Sequence, residues 1–154
     1  MAISIRSAEL NDADCLVAWA QAMALETEQK ILPDTHIVPG IAAGLANPHL
    51  ARYLVAEIDG VPAGTLMLTS EWSDWRNGFW LWIQSVYVAP EHRRKGFYRA
   101  LYAYVKELAK QDASICGIRL YVEKENHNAQ QTYQSLGMID AHYLIYEQAT
   151  RVIK

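Results

Sequence analysis

Cysteine is scarce in this chain. The two present, Cys15 and Cys116, are far apart and form no C-x-x-C. That excludes a disulfide framework and a thioredoxin-like redox pair, and both read as small buried hydrophobes in a reducing cytoplasm. Long apolar runs are missing too: no window approaches about 18 uninterrupted apolar residues, so no transmembrane helix and no membrane partner are expected. The start Met1-Ala2-Ile3-Ser4-Ile5-Arg6 has no charged segment ahead of an apolar one, so it is not read as a signal peptide. Charge of one sign is also lacking. A net charge of −3 offers no general field for nucleic acid or anionic lipid. His36, His49, His92, His127 and His142 form neither an H-x-H nor an H-x-x-x-H pair, so no metal centre is expected. G-x-S-x-G is absent, and neither cysteine has a histidine at a signature spacing. G-x-x-x-x-G-K-[ST] is absent, and no G-x-G-x-x-G follows the first strand, which sets aside P-loop and dinucleotide-fold readings.

What remains is an ordinary globular composition. The 154 residues are 51% hydrophobic and 20% charged, enough chain for one domain, residues 1–154, with a sizeable core. There is no internal repeat, low-complexity segment or linker. Aromatics stand out, with five Trp and nine Tyr, many between positions 72 and 104. They read as an aromatic-lined cavity or an aromatic core.

The patterning runs as follows. Ile3 to Ser7 alternates as a short strand. Asn11 or Asp12 can cap a helix whose face carries Leu10, Ala13, Leu16, Val17, Ala20, Met23 and Ala24. A second helix covers roughly Thr35 to Ala46, interrupted around Pro39-Gly40. Arg52 to Ile58 and Pro62 to Thr69 are strands joined at Asp59-Gly60, a strong hairpin signal. Ser70 to Gly78 reads as a loop. Phe79 to Val88 is a nearly continuous apolar strand, hence central and covered on both faces. Arg94 to Lys110 is a helix, Gly117 to Val122 a strand, Asn126 to Leu136 a helix ended by Gly137, and Ile139 to Glu147 a last strand. The order β-α-α-β-β-β-α-β-α-β predicts an α/β layered domain with a mixed sheet.

The most informative stretch is Arg93-Arg94-Lys95-Gly96-Phe97-Tyr98, between the long strand and the next helix. A helix start leaves backbone N–H groups without partners, and its dipole is positive there. A basic, glycine-containing turn at that point is an anion cradle, suited to a phosphate or pyrophosphate. Gly96 lets backbone approach the ligand with no Cβ in the way.

This turn resembles the acyl-CoA signature [QR]-x-x-G-x-[GA] of the GNAT N-acetyltransferase superfamily. Arg93 and Gly96 match it, and Tyr98 stands where the family usually has a small residue. Asn126, Ala129, Tyr133, Gly137 and Met138 match the superfamily's later block, N-x-x-A-x-x-x-Y-x-x-x-G-[FM], about 30 residues on. Glu71-Trp72-Ser73-Asp74-Trp75-Arg76 and Ile83-Gln84-Ser85-Val86-Tyr87-Val88 resemble one GNAT subgroup. The resemblance implies a GNAT-like fold in which the strands 79–88 and 117–122 splay apart to open a cofactor cleft.

It also implies a chemistry: acyl transfer from acetyl-CoA to an amine, with no covalent enzyme intermediate and no metal. The backbone N–H groups of Arg94, Lys95, Gly96, Phe97 and Tyr98 would hold the pyrophosphate, with the Arg93 and Arg94 side chains adding charge. Val86, Tyr87 and Val88 would offer a strand edge to the pantetheine arm, and the N–H near Val86 a donor for the thioester oxygen. Asn126 would touch the arm, and Ala129 would leave room for it. Tyr133 would be the general acid, since a phenol is a protonated donor at neutral pH. Glu26 and Glu28 are candidates for the base. Glu71, Trp72, Asp74 and Trp75 are candidates for binding a cationic acceptor, and Ser85 with Gln84 for orienting a water. The expected function is a cytoplasmic N-acetyltransferase for a small-molecule amine. A protein or peptide N-acetyltransferase is the second reading, and an acyl-CoA-binding sensor without chemistry the third. The last strand and the tail Thr150 to Lys154 leave room for a homodimer.

Overall fold

In the computed structural model the chain forms two compact units, Met1–Leu120 and Tyr121–Lys154, of which residues 2–151 are described. The first unit is a five-stranded sheet in the order β1-β2-β3-β4-β5. Its strands are β1 (Ile3–Ser7), β2 (Arg52–Ile58), β3 (Val61–Ser73), β4 (Gly78–Val88) and β5 (Ile115–Arg119). The first four pair antiparallel, and β5 joins β4 parallel. The helices are α1 (Ala13–Glu28), α2 (Asp34–Ala46) and α3 (Phe97–Gln111). The β4–α3–β5 crossover is what a parallel pair requires. The α/β mixed sheet expected from the patterning is therefore present.

The core lies on both faces of the sheet, since neighbouring strand residues such as Leu54 and Val55 point to opposite sides. Leu54, Val55, Leu66, Leu68, Phe97, Leu101 and Val105 are its largest fully buried side chains. Phe97, Leu101 and Val105 recur every four residues, so one helical stripe meets the sheet. At the hairpin Asp59-Gly60 both residues have positive φ, 51° and 77°, as a primed two-residue turn demands.

Three local expectations are corrected. Helix α2 runs unbroken through Pro39. Proline there removes only the bond to Thr35 in the first turn, and the Pro33 carbonyl anchors that turn by accepting from His36 and Ile37. Residues 70–78 are not a loop: β3 continues to Ser73, pairing Glu71 with Trp80 and Trp72 with Phe79, and only the turn 74–77 is irregular. Cross-strand aromatic pairs, such as the edge-to-face rings of Trp72 and Phe79 at 5.0 Å, reward extending the ladder. The last strand, Ile139 to Glu147, does not form. Strand structure needs a ladder partner, and among the described residues this segment pairs with none. Asp140 instead accepts the His142 N–H in a local turn, with His142 at φ 62°.

One ion pair ties the first unit's start together. Arg6 of β1 grips both oxygens of the buried Asp12 at 2.8 and 2.9 Å, and reaches Glu57 of β2 at 3.1 Å. Asp12 also accepts the Glu9 N–H at 2.7 Å, so it closes the turn before α1. The Arg6 guanidinium holds the Asp12 carboxyl below the ordinary carboxylate range. A depressed folded-state pKa contributes stability that is complete above the unfolded value, near 3.9. That stability is lost as pH falls below this value and through the lower folded one. Asp12→Ala is expected to cost about 1.5–3 kcal/mol, the range for losing hydrogen bonds to a charged group, since Arg6 stays partly solvated and paired with Glu57. Urea melts at pH 7 and at about pH 3 check it: the gap between wild type and variant should narrow in acid.

The second unit contains α4 (His127–Ser135). Its ends are locally specified. The Asn126 side chain accepts the Ala129 N–H at 3.1 Å, an N-cap. Gly137 sits at φ 98°. The Gly137 N–H bonds the Gln134 carbonyl and the Met138 N–H the Tyr133 carbonyl, each at 3.0 Å, which is a Schellman C-cap.

Candidate active site

The parallel pairing of β4 with β5 ends at Trp82 and Arg119, yet β4 continues to Val88. From Ile83 to Val88, then, the side of β4 away from β3 has no strand neighbour among the described residues. The expected splay is this early parting of β4 and β5. Met67 faces Ser85 while Leu68 faces Ile83, so Gln84 is an extra residue, a bulge at the start of the open edge. Bulges re-aim local backbone groups. An open edge of N–H and C=O groups accepts an amide-bearing chain as an added strand.

That edge leads into the turn before α3. Helix α3 begins at Phe97, later than the patterning implied, because Arg94 (φ 62°) and Gly96 (φ 88°) are both left-handed. Among the described residues the backbone N–H groups of Arg94, Lys95, Gly96 and Phe97 make no hydrogen bond. A Cβ at position 96 would meet nothing within 4 Å, so the space over the turn is open. Successive free N–H groups in a turn with left-handed residues form an anion-binding nest. The residues present therefore fit a pyrophosphate.

Glu26, at the end of α1, bonds Arg93 Nη2 through Oε2 at 2.8 Å. Its other oxygen lies 3.4 Å from the Tyr87 hydroxyl, which donates to it. Arg93 Nε donates to the Val88 carbonyl at 2.9 Å, and the guanidinium lies 5.4 Å from the Tyr87 ring centre. Trp19 of α1 packs against Tyr87, ring centres 6.0 Å apart. Burial, then the nearby Glu26 carboxylate, pushes the Tyr87 phenol above its ordinary value, so it serves as a neutral donor. Hydrogen bonding to Glu26 raises Arg93 as well. The other candidate base, Glu28, is a solvated helix end, 3.6 Å from Lys30. Both carboxylates thus face cations of their own chain.

Ser85 is half-buried beside the bulge, and Gln84 donates to the Thr69 hydroxyl at 3.1 Å. The other candidate acceptor residues are elsewhere. Glu71, Trp72, Asp74 and Trp75 lie at the far end of the β3–β4 hairpin. From Phe79, opposite Trp72, to Val86 is roughly 20 Å along β4 at about 3.3 Å per residue. There Glu71 pairs with Arg119 at 2.9 Å, and the guanidinium groups of Arg119 and Arg76 lie 3.9 and 4.8 Å from the Trp80 ring centre. Gly117 is needed beside it, because a Cβ would run into the Trp80 ring. In the second unit, Asn126, Ala129 and Tyr133 follow one another on α4, with Tyr133 half-buried. Sequence reasoning missed the grouping of Trp19, Glu26, Tyr87 and Arg93. No local signal announces it, because Glu26 is 67 residues from Arg93. Among the described residues no cluster of His, Cys, Asp and Glu is arranged to hold a metal ion, and no helix is long and apolar enough to cross a membrane.

An open strand edge thus leads into an anion nest on a layered α/β fold. The chain belongs to the acetyltransferase (GNAT) family, whose model matches residues 12–138, and it is an N-acetyltransferase. A crystal structure described as a possible acetyltransferase from Clostridium difficile 630 is 42% identical over 99% of this chain and 100% of that one, with a TM-score of 0.91. Two more distant structures share the fold. AAC(6')-Iy, in complex with the bisubstrate analog CoA-S-monomethyl-acetylneamine, is 17% identical over 98% of this chain and 100% of that one, TM-score 0.79. A ribosomal-protein-alanine N-acetyltransferase from Brucella melitensis biovar Abortus 2308 is 18% identical over 96% and 100%, TM-score 0.76. None of the proteins of curated function matches the chain. Enzymes of this family use acetyl-CoA as donor.

Proposed function

We propose that this protein, acting as one domain, moves the acetyl group of acetyl-CoA to a primary amine of a small molecule by direct transfer. The observation that carries the reading is the unpaired edge of β4 running into the free N–H groups of residues 94–97. When bound, acetyl-CoA supplies the activated thioester. The nest of Arg94, Lys95, Gly96, Phe97 and Tyr98 holds the pyrophosphate, and the edge at Val86–Val88 orients the amide arm. The N–H near Val86 bonds the thioester oxygen as negative charge develops on it. As the amine nitrogen bonds the acyl carbon, the carbon–sulfur bond breaks. Tyr133 gives its phenol proton to the sulfur, and water held near Ser85 and Gln84 carries the amine proton away. Holding both reactants in register supplies up to roughly 7–11 kcal/mol of the barrier reduction.

The rings of Trp19 and Tyr87 on the α1 side of the sheet support a small acceptor rather than an extended peptide. AAC(6')-Iy, on the same fold, is known in complex with the bisubstrate analog CoA-S-monomethyl-acetylneamine. The test is calorimetric titration of the protein with acetyl-CoA, with NADH as control, followed by thiol release over panels of small amines and of peptides. Micromolar binding of acetyl-CoA and turnover with a small amine are expected. Absence of acetyl-CoA binding removes the transferase reading for this chain, and turnover confined to peptides moves the acceptor to protein.

A further inference from the structure

Resting on the donor reading above, we infer that Glu26 is a positioning residue for acyl-CoA and not the base that deprotonates the amine. Its carboxylate acts through Arg93. The Arg93 side chain folds back from the turn: Nε donates to the Val88 carbonyl at 2.9 Å and Nη2 to Glu26 at 2.8 Å. One planar guanidinium therefore joins the last residue of β4 and the end of α1 to the residue just before the nest. Its rigid fork of donors makes both bonds at once, which a lysine head group does not reproduce. Tyr87 completes the set from below, donating to Glu26 and lying under the guanidinium. Arg93 precedes the left-handed Arg94, and the nest works only while Arg94 and Gly96 keep positive φ, a conformation that costs a non-glycine residue free energy. Anchoring Arg93 supplies the external hold that such a turn needs. The charge of Arg93 is then committed to Glu26, and the backbone N–H groups carry the anion. Both Glu26 oxygens are already engaged within the chain, one by Arg93 and one by Tyr87, so the carboxylate is directed at its own chain rather than at a substrate amine.

The pair is partly solvated, with side chains 44% and 41% exposed, so the expected effect is modest and specific. Glu26→Gln should raise the Kd for acetyl-CoA about threefold to fivefold. The same change in an Arg93→Gln background should add nothing, because the path through Arg93 is already cut. Arg93→Lys should behave like Arg93→Gln, and Glu26→Asp should recover part of the affinity. The spectroscopic signature is the Arg93 Nε–H resonance, identified by its disappearance in Arg93→Lys. It should be protected from exchange in wild type and exposed in Glu26→Gln. Wild-type affinity in Glu26→Gln, or an effect fully additive with Arg93→Gln, overturns the inference while leaving the donor reading intact. If wild type itself fails to bind acetyl-CoA, the donor reading falls and the inference falls with it. Thermal melts of each variant separate these outcomes from loss of folding.

Discussion

Gly96→Val is expected to abolish acetyl-CoA binding in a protein that still folds. Gly96 is left-handed at φ 88°, a region that valine's branched Cβ all but forbids. The surroundings would not resist the side chain, since a Cβ at 96 has nothing within 4 Å. The cost therefore falls on backbone conformation, at least about 1–2 kcal/mol. The turn escapes that cost by rotating residue 96 to negative φ, which swings the N–H groups of Gly96 and Phe97 off the common focus. Hydrogen bonds to a charged group contribute about 1.5–3 kcal/mol each. Losing two weakens binding more than about 100-fold, and any side chain that remains in place fills the open space over the nest. Gly60→Val is the control. Gly60 is also left-handed, φ 77°, and also has open space, but it lies in the β2–β3 hairpin. Both variants should lose comparable stability in thermal melts, and only Gly96→Val should lose acetyl-CoA in calorimetry. Binding that survives in Gly96→Val places the cradle elsewhere.

The contrast between these two glycines also marks what was legible in the sequence. Asp59-Gly60 announced a hairpin because a two-residue primed turn depends on those residues alone. Asn126 and Gly137 bracketed α4 for the same reason: caps are made within a few residues of the backbone they satisfy. The left-handed turn before α3 had a local signal of the same kind, Gly96, because the conformation at one residue is set by that residue. Where an outcome depended on partners far off in sequence, local pattern misjudged it. Residues 70–73 looked polar and irregular, yet the facing residues 78–81 continued the ladder. The run Ile139 to Glu147 looked like a strand, with alternating apolar and aromatic residues, yet among the described residues no edge pairs with it. Its Ile139, Tyr143, Leu144, Ile145 and Tyr146 are exposed. Residues 152–154, the end of the tail considered for pairing with a second copy, lie outside the described residues. Glu26 was singled out because a carboxylate near the end of α1 suits an acceptor wall. Which cation it meets is decided by how α1 packs beside β4, and periodicity carries no information on that.

Tyr133→Phe tests the chemical step apart from the cradle. The substitution keeps the ring and removes one oxygen, so the half-buried ring retains its packing. The helix that carries it is capped by other groups: the Asn126 side chain caps its start, and the bonds from Gly137 and Met138 close its end through backbone. The expected result is a drop in kcat of roughly 10²-fold, the low end for loss of a general acid, because the thiolate then leaves without a positioned proton. The Kd for acetyl-CoA should stay within about twofold, since in the proposed reading the backbone of residues 94–98 and 86–88 holds the pyrophosphate and the amide arm. Calorimetry gives the second quantity directly, and thiol release with the acceptor found in the amine screen gives the first. A parallel loss of binding and turnover would make Tyr133 a binding group and end its role as acid. Full turnover in Tyr133→Phe would show that the thiolate needs no proton from the protein. Placed beside the Gly96→Val result, the two variants separate a protein that cannot hold the donor from one that holds it and cannot finish the transfer.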